Sequence, residues 1–293
     1  MSRFWVYLSI IFVDLSLSGV SCISVFVLLI SGCSRDTFIF FANKAIKIYM
    51  QQPVISAERL SKSFEDKQVV KDISFDVYPG ELVGLLGPNG AGKTTTLRML
   101  AGLLSPDSGE VHIAGKTMRH NKSAARAQLG FLTGDMALYR RLKPLELLTY
   151  FGKLYGVDAA VLPRRVQQLA ADFAIADFAD RLCEKLSTGQ QQRVSIARTV
   201  IHDPAVIALD EPTTGLDIMA SDLILRFMQR QAQEEGKAVL FSTHHLDEVS
   251  RLCQRILVIH EGQLVFNGPP AQLVAQQQAN SLHDAFFQLI NPA

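Results

Sequence analysis

The sequence predicts an α/β fold around a parallel sheet, on three observations. Apolar strand-like runs alternate with helical stretches along most of the chain. One run, Leu82-Val83-Gly84-Leu85-Leu86, leads straight into a glycine-rich loop and a helical stretch. Another, Ala205-Val206-Ile207-Ala208-Leu209, delivers Asp210-Glu211 at its C-terminal end, the edge where open α/β sheets bind ligands.

The 293 residues leave room for one large or two ordinary domains, and 48% hydrophobic residues are ample for a core, which excludes a disordered chain. Lys and Arg number 29 against 28 Asp and Glu, a net charge of +1, so no nucleic-acid partner is expected. Cys22, Cys33, Cys183 and Cys253 are far apart with no CxxC pair, so neither a disulfide framework nor a zinc site is indicated and a reducing compartment fits.

Composition breaks near residue 50. Residues 1–50 hold six charges (Arg3, Asp14, Arg35, Asp36, Lys44, Lys47), and residues 15–34 hold none. At ~1.5 Å per residue such a stretch crosses a ~30 Å hydrocarbon core. As a membrane anchor it would leave the rest of the chain in the cytosol, by the basic residues that follow it. As a secretory leader, with Ile30-Ser31-Gly32-Cys33 resembling a lipoprotein cleavage box, it would carry the domain away from cytosolic nucleotide. The favoured expectation is an extension outside the working protein, with a start at Met50 leaving a complete domain at 51–270 and a helical tail at 271–293.

Strands are expected through 54–86, then a helix from Thr95 to Leu103 after the glycine loop, and strands near 110–114. A helical stretch follows from about 142 to 186, with Pro144 at an early helix position and an amphipathic run at 161–173. Strand and helix then alternate to 266, a parallel-sheet order. Leu273, Val274, Leu282, Phe286, Phe287 and Leu289 read as the packing faces of short C-terminal helices.

The loop Gly87-Pro88-Asn89-Gly90-Ala91-Gly92-Lys93-Thr94-Thr95 is a G-x-x-x-x-G-K-[ST] phosphate-binding loop, a match expected by chance in roughly one in a hundred chains of this length. Glycines let consecutive backbone N–H groups converge on a β-phosphate at a helix N-terminus. Lys93 would span the β- and γ-phosphates, and Thr94 would offer its hydroxyl to Mg²⁺. Asp210 would hold the same Mg²⁺ through water, and Glu211 would polarise the water that attacks the γ-phosphate. The implied ligands are ATP and Mg²⁺.

Between these motifs lies Leu186-Ser187-Thr188-Gly189-Gln190-Gln191-Gln192-Arg193, followed by a helical pattern with Val194, Ala197 and Ile201 on one face. Ser187 is placed as an N-cap, so this helix start is a second anion site. Here the chain resembles the ATP-binding-cassette (ABC) family, whose LSGGQ signature closes over the ATP held by a second subunit's phosphate loop; Thr188 stands in place of a glycine. The resemblance spans about residues 53–270. It implies a P-loop NTPase (RecA-like) core with an antiparallel β subdomain and a helical signature subdomain at about 135–190. Thr213-Thr214-Gly215-Leu216-Asp217 resembles the family's D-loop, and His244 its switch histidine at the γ-phosphate. His245 has no such role, and no partner at ligand spacing makes the His-His pair a metal site. Phe64 falls where the family stacks an aromatic on adenine; the alternative is a core residue.

Gly134 occupies the place of the family's Q-loop glutamine, so Asp135 or a rearranged loop must serve any contact to Mg²⁺ there. Phe131-Leu132-Thr133-Gly134-Asp135 together with the signature is similar to the Nat-type subgroup, ATPase subunits of exporters linked to sodium efflux. The resemblance implies an ATPase at the cytoplasmic face of the membrane, peripheral to it, pairing with a second ABC subunit (a homodimer or half of a heterodimer) and driving a separate permease. The alternative is a non-transport ABC ATPase acting on ribosomes or DNA, which generally carries paired cassettes or a long coiled-coil insertion; this chain has one phosphate loop and no sustained heptads. A regulatory module without catalysis is opposed by Glu211 and His244.

Overall fold

A computed structural model describes residues 52–134 and 138–291, within a compact unit that begins at Gln52. The expectations for residues 1–50, and for Asp135, lie outside the described residues. The chain opens with β1 (Ile55–Phe64), β2 (Lys67–Val77) and β3 (Leu82–Leu86), followed by the glycine loop and α1 (Lys93–Leu100). Next come β4 (Ser108–Ile113), β5 (Lys116–Thr117), the short α2 (Lys122–Arg126) and β6 (Leu129–Leu132). A helical segment holds α3 (Pro144–Leu154), α4 (Leu162–Asp172), two 3₁₀ turns and α5 (Thr188–Thr199). The remainder is β7 (Val206–Asp210), α6 (Ile218–Gln233), β8 (Ala238–Ser242), α7 (Leu246–Leu252), the hairpin β9 (Arg255–His260) and β10 (Gln263–Gly268), then α8 (Pro270–Gln276) and α9 (Leu282–Ile290).

Every residue of β3, β7 and β8 is buried. An apolar run without polar alternation is stable only when both faces of its sheet are covered. These strands are central in a six-stranded sheet of order β10-β9-β3-β8-β7-β6. All its pairs are parallel except β9 with β10, so the expected alternation ends in a hairpin rather than another crossover. Successive residues supply two cores. Leu82, Leu86, Ile207, Leu209, Val239 and Phe241 face the core shared with the helical segment, α6 and the C-terminal helices. Val83, Leu85, Val206, Ala208, Ala238 and Leu240 face the core shared with α1 and a four-stranded antiparallel sheet, β2-β1-β4-β5.

Helix α1 starts at Lys93 and stops at Leu100, earlier at both ends than the sequence predicts. Gly102 adopts φ +63°, where a Cβ would meet Met118 Sδ at 2.7 Å, so the chain turns there and leaves Leu103 exposed. Elements β5, α2 and β6 were not among those expected; they are short, and β6 has only four residues. At the C-terminus Leu273, Leu282 and Phe286 pack into the core, whereas Phe287 is exposed rather than packed.

The end of the signature-helix segment contains a buried titratable group. His202 stacks on Tyr155, with ring centroids 4.1 Å apart. Burial lowers its pKa to about 4, against the opposing influence of the Leu129 backbone and Asp203 and with Lys237 and Arg165 adding to the depression. The unfolded chain, with an ordinary histidine near pH 6.5, therefore binds a proton that the native state refuses, and stability falls as pH drops from about 6.5 toward 4. The expected slope from this residue is up to about 1.4 kcal/mol per pH unit in that window and absent above it. Urea denaturation of His202→Phe between pH 7.5 and 4.5 should show a shallower acid loss than the parent; identical slopes would refute the assignment.

Candidate nucleotide site

The glycine loop joins β3 to α1, and at two of its glycines the neighbouring backbone leaves no room for a side chain. Gly87 has φ +154°, and a Cβ there would lie 2.2 Å from the Ile259 carbonyl oxygen; Gly92 has φ +109°, with a Cβ 2.8 Å from the Val69 oxygen. Gly90, at φ +80°, faces open space. Pro88 is half-buried and Asn89 exposed; Ala91 is buried, and Thr94 and Thr95 are half-buried on the first turn of α1. Gly87 and Gly92 are thus required by the chain's own neighbouring backbone, and Gly90 by its positive φ.

Lys93 is 5% exposed. Its ammonium donates to the carbonyls of Gly87 at 2.7 Å and Pro88 at 3.1 Å. Burial lowers its pKa, and the charges of Glu211 and then Asp210 oppose that shift. The two acidic residues are therefore electrostatically coupled to the lysine across the sheet edge.

Asp210, also 5% exposed, pairs in register with Ser242 at the end of β8. The Ser242 hydroxyl donates to Asp210 Oδ1 at 2.6 Å and accepts from the Glu211 amide at 2.9 Å. Glu211 holds φ +46°, a strained conformation for a residue with a Cβ. Its carboxylate accepts from Thr214 Oγ1 at 2.9 Å and lies 3.4 Å from His244 Nδ1. The structure thus brings Lys93, Asp210, Glu211 and His244 to one edge. Ser242, which ties the acidic pair to the neighbouring strand, was missed by sequence reasoning; its signal was its position two residues before His244 at the end of an apolar run. His245 is the N-terminal flanking residue of α7, its ring centroid 4.2 Å from that of His244. Among the described residues no cluster of three or more His, Cys, Asp or Glu could hold a metal. A magnesium ion bound chiefly by phosphate oxygens, with one or two protein oxygens, fits this donor set.

Ser187 caps α5: its hydroxyl accepts from the Gln190 amide at 3.3 Å, and the Gln190 side chain accepts from the Ser187 amide at 3.1 Å. Ser187 and Thr188 are exposed, and Gly189 and Gln190 are half-buried. A Cβ at Gly189 would meet only ordinary contacts, 3.7 Å from Ala220 and 3.8 Å from Leu216, so packing within the chain does not require this glycine. Asp217 caps α6, accepting from the Ala220 amide at 2.8 Å. The neighbouring Ile218 and Met219 are 86% and 80% exposed. Phe64, at the end of β1, is 47% exposed with Lys62 Nζ 5.8 Å from its ring, which excludes the core alternative. Gly134 is exposed, and next to it the Thr133 hydroxyl is buried with no hydrogen-bond partner among the described residues.

A family model described as ABC transporter matches residues 70–214. The chain is 38% identical over 239 residues to the ABC transporter ATP-binding protein NatA of Bacillus subtilis, covering 80% of this chain and 97% of NatA. It is 40% identical over 228 residues to Nod factor export ATP-binding protein I of Paraburkholderia xenovorans, covering 78% of this chain and 75% of that protein. Among solved structures it resembles the dimeric structure of MJ0796, a bacterial ABC transporter cassette, with TM-score 0.67 and 27% identity over 73% of this chain and 98% of that one. The glycine cradle, the buried lysine facing two carboxylates and these matches lead to one conclusion: the chain belongs to the ABC transporter ATP-binding protein family.

Proposed function

We propose that the chain hydrolyses MgATP at a site shared between two copies and thereby drives a separate membrane permease in export. The observation that carries this reading is the buried Lys93 ammonium beneath the glycine loop, coupled to Glu211 and Asp210. Backbone amides of residues 89–94 would bind the phosphates, with Lys93 exchanging its carbonyl partners for phosphate oxygens. Thr94 and Asp210 would hold Mg²⁺, which when bound neutralises charge on the β- and γ-phosphates. Glu211 would orient the attacking water, held in place by Thr214 and by the Ser242 link to its amide. His244, beside the same carboxylate, would contact the γ-phosphate, and exposed Phe64 would stack on adenine.

Exposure of Ser187, with a neighbouring Gly189 that packing within the chain does not demand, supports a role for this helix start on a second copy's nucleotide. The dimeric architecture of MJ0796 supports the same arrangement. Among the described residues no helix is long and apolar enough to cross a membrane. Membership of the ABC transporter ATP-binding family supports a pore made by another chain and a peripheral location at the cytoplasmic face. A cavity of ≈ 540 Å³ lined by Leu138, Arg140, Cys183, Glu184, Lys185 and Gln191, beside the exposed Tyr139, supports a docking role for the helical segment toward the permease. Export as the direction rests on the relative named for Nod factor export.

Two experiments test this reading. Glu211→Gln should retain MgATP and lose turnover by at least ~10²-fold, whereas Lys93→Ala should weaken nucleotide binding roughly 10- to 100-fold. Wild-type turnover by Glu211→Gln refutes the role of the carboxylate. Mixing Lys93→Ala with Ser187→Arg subunits should restore activity through one intact composite site per mixed dimer; no recovery despite demonstrated mixing contradicts the shared site.

A further inference from the structure

Two hairpin turns in this chain share one backbone conformation and differ in what they touch. In the β9–β10 turn Glu261 and Gly262 have φ +47° and +81°; in the β4–β5 turn Ala114 and Gly115 have φ +49° and +72°. Such successive positive values are those of a tight two-residue hairpin, so each glycine satisfies its turn. Around Gly115 a Cβ would find open space. At Gly262 a Cβ would lie 2.6 Å from the Val69 oxygen and 3.1 Å from the Val69 carbonyl carbon, contacts with backbone that cannot swing aside.

The close approach lets Gly262 join two other segments. Its amide donates to the Ala91 carbonyl in the glycine loop at 3.1 Å, and its carbonyl accepts from the Lys71 amide in β2 at 2.7 Å. Gly92 packs into the same junction, since a Cβ there would meet the Val69 oxygen at 2.8 Å and the Gly262 Cα at 3.9 Å. In a trans peptide the C=O and N–H vectors oppose each other. Holding the Ala91 carbonyl toward the hairpin therefore turns the Gly92 N–H away from the hairpin.

We propose that Gly262 is a positioning residue for the phosphate loop: its hydrogen bond to Ala91 fixes the Ala91–Gly92 peptide so that the Gly92 N–H is aimed at the β-phosphate of a bound nucleotide. The junction also fixes β2, and through it the sheet that carries Phe64, relative to that loop. This deepens the nucleotide-site reading and rests on it. Gly262 touches no substrate; it acts through the loop peptide.

The test is a matched pair of variants in the full chain, Gly262→Ala and Gly115→Ala, with ADP and MgATP dissociation constants measured by calorimetry beside thermal melts. Both variants introduce a side chain at positive φ and should lose thermal stability. Only Gly262→Ala should raise both dissociation constants, by at least ~10-fold, and to a similar extent because the two nucleotides share the β-phosphate. Gly115→Ala should stay within about twofold of the parent, below the scale of one lost hydrogen bond. Unchanged affinity in a folded Gly262→Ala, or equal losses in the two variants, overturns the proposal. Lys93→Ala is measured alongside: if it binds nucleotide as the parent does, the site reading fails instead. Should Gly262→Ala not fold, amide exchange in the unsubstituted chain decides. Saturation with ADP should slow exchange of the Gly262 amide but not the Gly115 amide, and unaltered Gly262 exchange overturns the proposal.

Discussion

Removing an ammonium group from water costs several kcal/mol unless it finds acceptors and counter-charge in fixed positions. Lys93 meets that requirement with the carbonyls of Gly87 and Pro88 and with the fields of Glu211 and Asp210. Each partner must be delivered by a different segment, and the delivery constrains the surrounding fold. The carbonyls come from a loop that only glycine permits to pass between Ile259 and Val69. The carboxylates come from a strand two places away in the sheet, across β8.

That delivery depends on a sheet covered on both faces. Since β3, β7 and β8 alternate their side chains between two cores, their C-terminal ends are held at one edge by packing from both sides. The Ser242 hydroxyl then links β8 to the acidic end of β7, holding Asp210 and the Glu211 amide at once. Glu211 keeps its positive φ within this frame, a local strain maintained by surrounding contacts. The signature helix is joined to the same edge by Gln192, whose side chain donates to the Pro212 carbonyl at 2.9 Å. The acidic strand end and the exposed start of α5 thus belong to one connected assembly.

What the sequence makes legible is chemistry carried by contiguous residues. The phosphate loop, the Asp210-Glu211 pair and the Ser187 cap each combine a local conformation with the side chains that use it, and each is readable from a short window. What it conceals is pairing between distant segments. Ser242 and Asp210 are 32 positions apart, and the junction of Ala91, Lys71 and Gly262 consists of backbone groups that leave no side-chain signature. The antiparallel sheet was legible only through family resemblance, because β1 and β2 pair with register shifts at several points and Arg59 and Asp72 interrupt their extended conformation with positive φ. Likewise, Gly134 reveals a missing side chain but not the buried hydroxyl of Thr133 beside it, which has no hydrogen-bond partner among the described residues.

In the proposed arrangement the buried lysine, the acidic strand end and the signature-helix start of a second copy together form one nucleotide site. A structure of the chain with Mg²⁺ and a non-hydrolysable ATP analogue tests it most directly. A β-phosphate is expected within hydrogen-bonding distance of the amides of residues 89–94, with Lys93 Nζ on the phosphates and Ser187 of a second copy at the γ-phosphate. A nucleotide bound elsewhere, or phosphates in the loop with the Ser187 segments of both copies facing solvent, would contradict it.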